Sequence, residues 1–357
     1  MKPEELHLII PGPLEQRTGG YLYDARMVSG LERLGWTVVV HSLRGEFPSA
    51  DETAQDTLHR ALASLMDGTR VIIDGLAMGA LPKPIRDHAP RLKLLALVHH
   101  PLADETGLDP EKRELFERLE SEALAACSGV VCTSAYTAGR MAAFGVPPTR
   151  VRSVPPGTEP ARPAAGPGAG AAPRLLCVGT VVPRKGQDVL VKALARLKHV
   201  KWSCVCAGSV ERAPDYARSV MALVQEHGLA DRISFPGELG AQALDELYHH
   251  ASLFVLPSHY EGYGMALAEA LARGLPVVST TGGAIPHTVP SDAAILVPPG
   301  DEASLSGALG HLLAGTTGNA RRAKLAPAAR PHALTLPTWE RAVASFARAI
   351  WDLSPSE

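Results

Sequence analysis

Short apolar runs recur along this chain, and most are followed by a longer stretch with helical spacing. The runs are LHLII (6–10), TVVVHSL (37–43), RVIIDGL (70–76), LLALVHH (94–100) and GVVCTS (129–134), then RLLCVGT (174–180), KWSCVCAG (201–208), ISFPG (233–237), LFVLPS (253–258) and PVVST (276–280). Between them the spacing predicts helices over 21–34, 110–126, 187–197, 215–227, 241–249 and 265–273. A strand that is apolar at consecutive positions is buried on both faces, as in a parallel sheet with helices on either side. Right-handed crossovers wind such units into doubly wound, Rossmann-like α/β layers.

The alternation breaks once, at PPGTEPARPAAGPGAGAAP (155–173), which is rich in Pro, Gly and Ala and has no period. GPGAG within it precedes a strand instead of following one, so it is not read as a phosphate loop. The expected organisation is an α/β domain over 1–160, a linker over 161–173 and a second α/β domain over 174–337. A closing segment, 338–357, contains TWERAVASFARAIWDL (338–353), with helical spacing and Thr338 as its N-cap.

A chain of 357 residues with 46% hydrophobic and 20% charged residues suits two soluble domains of this kind. The formal net charge of -2 gives no basic surface for nucleic acid. No apolar run approaches the roughly 18–20 residues of a membrane span. The opening MKPEELHLIIPGPLEQ lacks the basic and long apolar regions of a secretory signal. The five cysteines, Cys127, Cys132, Cys177, Cys204 and Cys206, are odd in number and have no CxxC spacing. Buried reduced thiols and a cytoplasmic location are expected. The helix EKRELFERLESEALAA is acidic on balance, so no basic amphipathic stretch argues for lipid, although peripheral membrane contact stays open.

The chemistry concentrates in LFVLPSHYEGYGMALAEALARGLPVVSTTGG (253–283). A buried strand ends in a loop holding Glu261, Gly262, Tyr263 and Gly264, and a helix starts near Met265. Ligands of open α/β sheets bind at the carboxyl ends of strands, glycines admit close backbone approach, and N–H groups at a helix start suit phosphate. Glu269, in the first turns of that helix, is placed to reach ribose hydroxyls.

EGYGMALAEALARGLPVVST resembles the E-x7-E block of the retaining glycosyltransferases of family four, which have the GT-B fold. The resemblance implies two Rossmann-like domains facing across a cleft, with the last helix crossing back to the first domain. It implies that Glu261 contacts the donor sugar and Glu269 the ribose, while the backbone from Gly262 to Met265 receives diphosphate and sugar. RLLCVGTVVPRKGQDVLVKAL (174–194) is similar to the family's loop in which a basic pair neutralises the donor diphosphate, here Arg184 and Lys185. Many members carry arginine directly after the first glycine. Thr180 stands there in this chain, so Arg184 is expected to supply the guanidinium. Fixed cations at that point stabilise the charge that builds as a nucleoside diphosphate departs.

Three more stretches extend the resemblance over nearly the whole chain. IIPGPLEQRTGGYLYDARMVSGLERLGWTVVV (9–40) is similar to the first strand, glycine loop and helix, with Gly19 and Gly20 at a helix start facing diphosphate or acceptor. LLALVHHPLADETG (94–107) places His99 and His100 where members often have a histidine near the transferring sugar. Neighbours on a strand point opposite ways, so one of them faces the cleft, and His99 is the better placed. ISFPGELGAQALDELYHHASLFVLPS (233–258) is similar to the wall around the base, with Gly237 and Leu239 lining it. Two departures are local: PPGTEP replaces Pro-Asn-Gly-x-Asp, and His287 stands where a glutamate is usual.

The implied activity is transfer of a hexose from a UDP- or GDP-sugar to a saccharide, lipid-linked or small-molecule acceptor, with retention of configuration. No Asp-x-Asp pair is present to hold a divalent ion, so no metal and no cofactor beyond the sugar-nucleotide substrate is expected. A metal site from His99, His100, Asp104 and Glu105 lacks a defined ligand spacing. Other readings of the same architecture are a non-catalytic sugar-nucleotide-binding protein and a sugar-nucleotide epimerase or hydrolase. A nicotinamide dehydrogenase would need a GxGxxG after the first or the post-linker strand, and neither has one.

Overall fold

The computed structural model describes residues 4–168 and 170–354. Residues 1–3 of the expected first domain, 169 of the expected linker and 355–357 of the closing segment lie outside the described residues. The chain divides into two compact units, one up to Gly157 together with residues from Pro337 on, the other Thr158–Leu336.

The first unit runs β1 (Glu5–Pro11), α1 (Gly19–Arg33), β2 (Thr37–Leu43), α2 (Glu52–Ala63), β3 (Arg70–Asp74), α3 (Gly75–Met78), α4 (Pro82–His88), β4 (Lys93–Val98), α5 (Pro110–Ala126), β5 (Gly129–Cys132), α6 (Ala135–Arg140) and β6 (Val151–Ser153). Its sheet is parallel, in the order β2-β1-β3-β4-β5-β6. The strands are continuous in apolar residues because both faces are covered, and Ile9, Val71, Ile73, Leu95 and Val131 have no exposed surface. Helix starts follow ordinary capping chemistry. Asp51, Asp109 and Ser134 accept the N–H groups of Ala54, Lys112 and Thr137.

The second unit runs β7 (Arg174–Val178), α7 (Gln187–Ala195), β8 (Ser203–Ala207), α8 (Pro214–Glu226), β9 (Ile233–Gly237), α9 (Ala241–His249), β10 (Leu253–Leu256), α10 (Met265–Ala272), β11 (Val277–Thr280), α11 (Ile285–Thr288), β12 (Ala294–Val297), α12 (Glu302–Leu313) and α13 (Gly315–Ala333). Its parallel sheet has the order β12-β11-β10-β7-β8-β9. The last helix, α14 (Trp339–Leu353), belongs to the first unit and packs on α1 and β5. The Thr338 side chain caps it by accepting the Arg341 N–H. Its buried face carries Trp339, Val343, Phe346 and Ile350, a helical stripe.

Every apolar run forms a strand. β6 and β12 are additional and short. The expected linker is not loose where it enters the second unit. Ala164 N–H donates to the Arg273 carbonyl and Ala165 N–H to the His249 carbonyl, both at 2.8 Å.

In both sheets the strand order reverses once. The reversal lies between β1 and β3 in the first sheet and between β7 and β10 in the second. Helices leave to opposite faces at such a point, and a crevice opens at the carboxyl ends of its strands.

Candidate active site

The loops after β7 and β10 flank the switch point of the second sheet, and they bring the two motifs together. After β7 the chain makes a 3-10 turn at Pro183–Lys185 and ends it at Gly186, which has a φ of 67° and starts α7. After β10 the loop reaches Gly264, also left-handed at φ 93°, which starts α10. A side chain at either glycine would be strained, so the motif's glycines follow from the backbone path. His259 N–H donates to the Arg184 carbonyl at 2.7 Å and fastens one loop to the other.

Glu261 is the hub. Its Oε1 accepts from Lys185 Nζ at 2.7 Å and from Ser258 Oγ at 2.6 Å, and Arg184 Nη1 stands 3.6 Å from Oε2. Arg184 also donates to the Tyr260 carbonyl at 2.9 Å. Glu261 is buried, and burial opposes its charge. Lys185 first and Arg184 next outweigh that and hold its carboxyl below the usual range. The backbone around it is braced as well. Ala284 N–H donates to the Glu261 carbonyl at 2.8 Å and Thr288 Oγ1 to the Tyr263 carbonyl at 2.6 Å, while Thr280 Oγ1 donates to the Ser258 carbonyl at 2.5 Å.

Glu269 sits one turn into α10, densely surrounded but with part of its surface open. Tyr248 OH on α9 donates to it at 3.1 Å. Burial raises its carboxyl, against the pull of Tyr248 and then Arg273. Helix geometry leaves the first N–H groups of α10, from Met265 on, without intrahelical acceptors. Glu261, Lys185, Arg184 and the start of α10 thus form one cluster of fixed cations, N–H dipoles and a carboxylate, suited to an anionic, hydroxyl-bearing ligand. Gly237 closes β9 with φ 77° and accepts from Gly208 N–H at 2.9 Å, and Leu239 follows two residues on, half-buried before α9.

In the first unit, Gly19 and Gly20 open α1 at the β1–β3 switch point. His99 and His100 follow β4 and part company. His99 Nε2 lies 3.1 Å from Asp24 of α1 and 3.3 Å from Asp74 at the end of β3. His100 pairs with Glu105 at 3.1 Å. Asp104, set beside these histidines in the sequence, instead forms a two-pronged ion pair with Arg140. Asp24, Asp74, Tyr248, Ser258 and Thr288 were not among the sequence-derived site residues. Asp24 lies inside a quoted motif, but nothing in its spacing joins it to a histidine far along the chain.

Two family profiles match in tandem. Residues 23–162 match Glycosyltransferase Family 4, and residues 166–332 match Glycosyl transferases group 1. The chain belongs to this glycosyltransferase family. Among curated family members it is 32% identical over 213 residues to the D-inositol 3-phosphate glycosyltransferase of Acidothermus cellulolyticus, covering 54% of this chain and 47% of that one. It is 28% identical over 302 residues to the GDP-mannose-dependent alpha-(1-6)-phosphatidylinositol monomannoside mannosyltransferase of Mycolicibacterium smegmatis, covering 79% and 76%. The chain spans about half the length of the inositol 3-phosphate glycosyltransferases it matches. In fold it follows the GT-B glycosyltransferases. Sucrose-phosphate synthase from Thermosynechococcus elongatus superposes with a TM-score of 0.81 at 23% identity, over 97% of this chain and 98% of that one. HepE of Anabaena in complex with UDP-glucose does so with a TM-score of 0.75 at 17% identity, over 96% and 98%. Among the described residues no helix is long and apolar enough to cross a membrane.

Proposed function

We propose that this family member transfers a hexose from a nucleotide-sugar donor to a hydroxyl of a saccharide, lipid-linked or small-molecule acceptor, with retention of configuration and without a metal ion. The observation that carries the reading is the Lys185–Glu261–Arg184 cluster at the β7–β10 switch point. An ammonium has three N–H groups, and Glu261 engages one of them at 2.7 Å. The ammonium and the neighbouring guanidinium supply the positive charge that a departing nucleoside diphosphate needs. Glu261, held ionised, is an acceptor for donor-sugar hydroxyls, and Glu269 plays the same part for the ribose. In the reaction the anomeric carbon–phosphate oxygen bond breaks through an oxocarbenium-like state. The acceptor oxygen bonds on the same face, and the leaving phosphate oxygen takes its proton. No carboxylate base is then required.

The relatives' names support GDP- and UDP-sugars as the first donors to try. The test is a thermal-shift panel of UDP-, GDP-, ADP- and dTDP-sugars with and without EDTA. A rise in melting temperature with one nucleotide family, insensitive to EDTA, is expected. No shift with any of them, or a shift abolished by EDTA, overturns the reading or its metal-free part.

A further inference from the structure

At the end of β4 one ring nitrogen meets two carboxylates. Both carboxylates are almost out of water, Asp24 at 2% exposure and Asp74 at 5%. Neither is free to swing away. Asp74 also accepts the Leu76 N–H at 2.7 Å as the cap of α3, and Asp24 is carried on the body of α1. The imidazole is boxed in as well. A Cβ at Gly20 would stand 3.3 Å from His99 Cδ2, so the start of α1 lies against the ring. Tyr23 meets the ring edge-on at 5.5 Å, with its own hydroxyl tied to the Val154 carbonyl at 3.0 Å. The charged and titratable groups that face the ring are Asp24 and Tyr23 from α1 and Asp74 from β3, with the Cys132 thiol of β5 behind Tyr23.

Burial pushes the Asp24 carboxyl up to about 6, still below His99, so at neutral pH the shared proton rests on Nε2 between two carboxylates. Without a cation between them the pair would be strongly unfavourable. Burial opposes a charge on His99, but Asp24 and then Asp74 outweigh it and raise the imidazole well above its ordinary range. The other nitrogen, Nδ1, has no hydrogen-bond partner among the described residues, and the side chain keeps 21% of its surface open.

We propose that Asp24 and Asp74 are positioning residues that clamp His99 through Nε2–H and keep it an imidazolium, so that Nδ1–H is a fixed, charged donor toward an oxygen of a ligand bound at the carboxyl end of the first sheet. The ligand in this statement rests on the sugar-transfer reading; the clamp does not. An imidazolium at neutral pH has no lone pair, so His99 acts as a donor and cannot take the acceptor's proton. The clamp also sets His99 apart from the adjacent His100, whose Nε2 pairs instead with the half-exposed Glu105.

Heteronuclear NMR of the imidazole nitrogens in the full-length, histidine-labelled protein tests the clamp, with His99→Gln to assign the signal. In the wild type both His99 nitrogens stay protonated from about pH 6 to about pH 9, and in Asp24→Asn the titration falls by about 1–3 units. Loss of the wild-type proton near the ordinary value of about 6.5 overturns the proposal and needs no variant to fold. In kinetics, kcat/KM of Asp24→Asn gains a decline of about tenfold per pH unit above its new transition, absent from the wild type. A uniform loss at every pH would mean a merely structural role and also overturns it. The same atoms lie within 4.8 Å of one another and could ligate a cation. Stoichiometric binding of manganese or zinc to the wild type, abolished in Asp24→Asn, would make the trio a metal site and overturn the clamp. An imidazolium signal in a protein that turns over no sugar nucleotide would leave the clamp standing and remove the transfer reading.

Discussion

Lys185 Nζ and Glu261 Oε1 are 2.7 Å apart, and this contact joins the two loops at the switch point of the second sheet. Removing the lysine leaves the buried carboxylate with Arg184 and Ser258 as its side-chain partners among the described residues. Lys185→Met is expected to lower the stability of the protein by about 3–5 kcal/mol at neutral pH, measured by urea unfolding. Glu261 is held below its unfolded value, so its contribution is present above the unfolded pKa and is lost as pH falls through the folded one. The difference between wild type and Lys185→Met therefore shrinks in acid. In transfer assays Lys185→Ala is expected to be slower by roughly 100-fold, the scale of losing one charge-stabilising group.

Glu269→Ala removes the acceptor that Tyr248 OH now engages and the group proposed to hold the ribose. A hydrogen bond to a charged group contributes about 1.5–3 kcal/mol, so donor affinity is expected to weaken by roughly 10- to 100-fold. Calorimetric titration with the donor nucleotide checks it. Unchanged affinity would remove Glu269 from the site.

A Cβ at Gly186 would run into the Pro257 carbonyl, and the position already needs a left-handed backbone. Gly186→Ala is expected to displace the Pro183–Lys185 turn and separate Lys185 from Glu261. A loss of about 1–3 kcal/mol in stability with largely intact circular dichroism is the expected pattern. Donor binding should fall alongside it.

Glu120 of α5 is buried and accepts the N–H groups of Leu102 and Ala103, which shape the turn after His99 and His100. Burial raises its carboxyl, against the pull of those two N–H groups, to about 7. The folded protein therefore keeps a proton that the unfolded chain gives up near the ordinary carboxylate value. The stability gained from that proton is fully present below the unfolded pKa and is lost as pH rises through about 7. Up to about 3 kcal/mol is involved. Glu120→Gln should flatten this fall, seen as the difference in unfolding free energy from the wild type across that window.

Much of the architecture is legible in the sequence because strands buried on both faces leave an unbroken apolar record. β6 and β12 escape notice because they are short and lie at sheet edges. α13 is harder still, since it carries Pro327 and Pro331 inside the helix. Proline ordinarily breaks a helical reading. The site divides in the same way. Glu261 and Glu269 share one strand–loop–helix, and Arg184 and Lys185 share another, so each pair lies within a local motif whose family resemblance points to it. The partners of His99 come from α1 and β3, and the partner of Glu269 comes from α9. Pairings between elements leave no period to read. The sequence favours His99 over His100 by position alone, and their different carboxylate partners emerge only with the side chains placed.

The return of α14 to the first unit has a consequence for biosynthesis. Val343 fills the space beside Gly30, Trp339 packs against Gly157 and Leu353 against Gly129, so α1, β5 and the end of the first segment are finished by residues translated after the whole second unit. The second unit, continuous from Thr158 to Leu336, has left the ribosome's decoding centre before α14 is made. Its core can close while the earlier-born sheet still waits with an open apolar seam. The first unit therefore cannot complete its packing until the whole second unit has been synthesised, and an early stop codon in α14 damages the amino-terminal half of the protein.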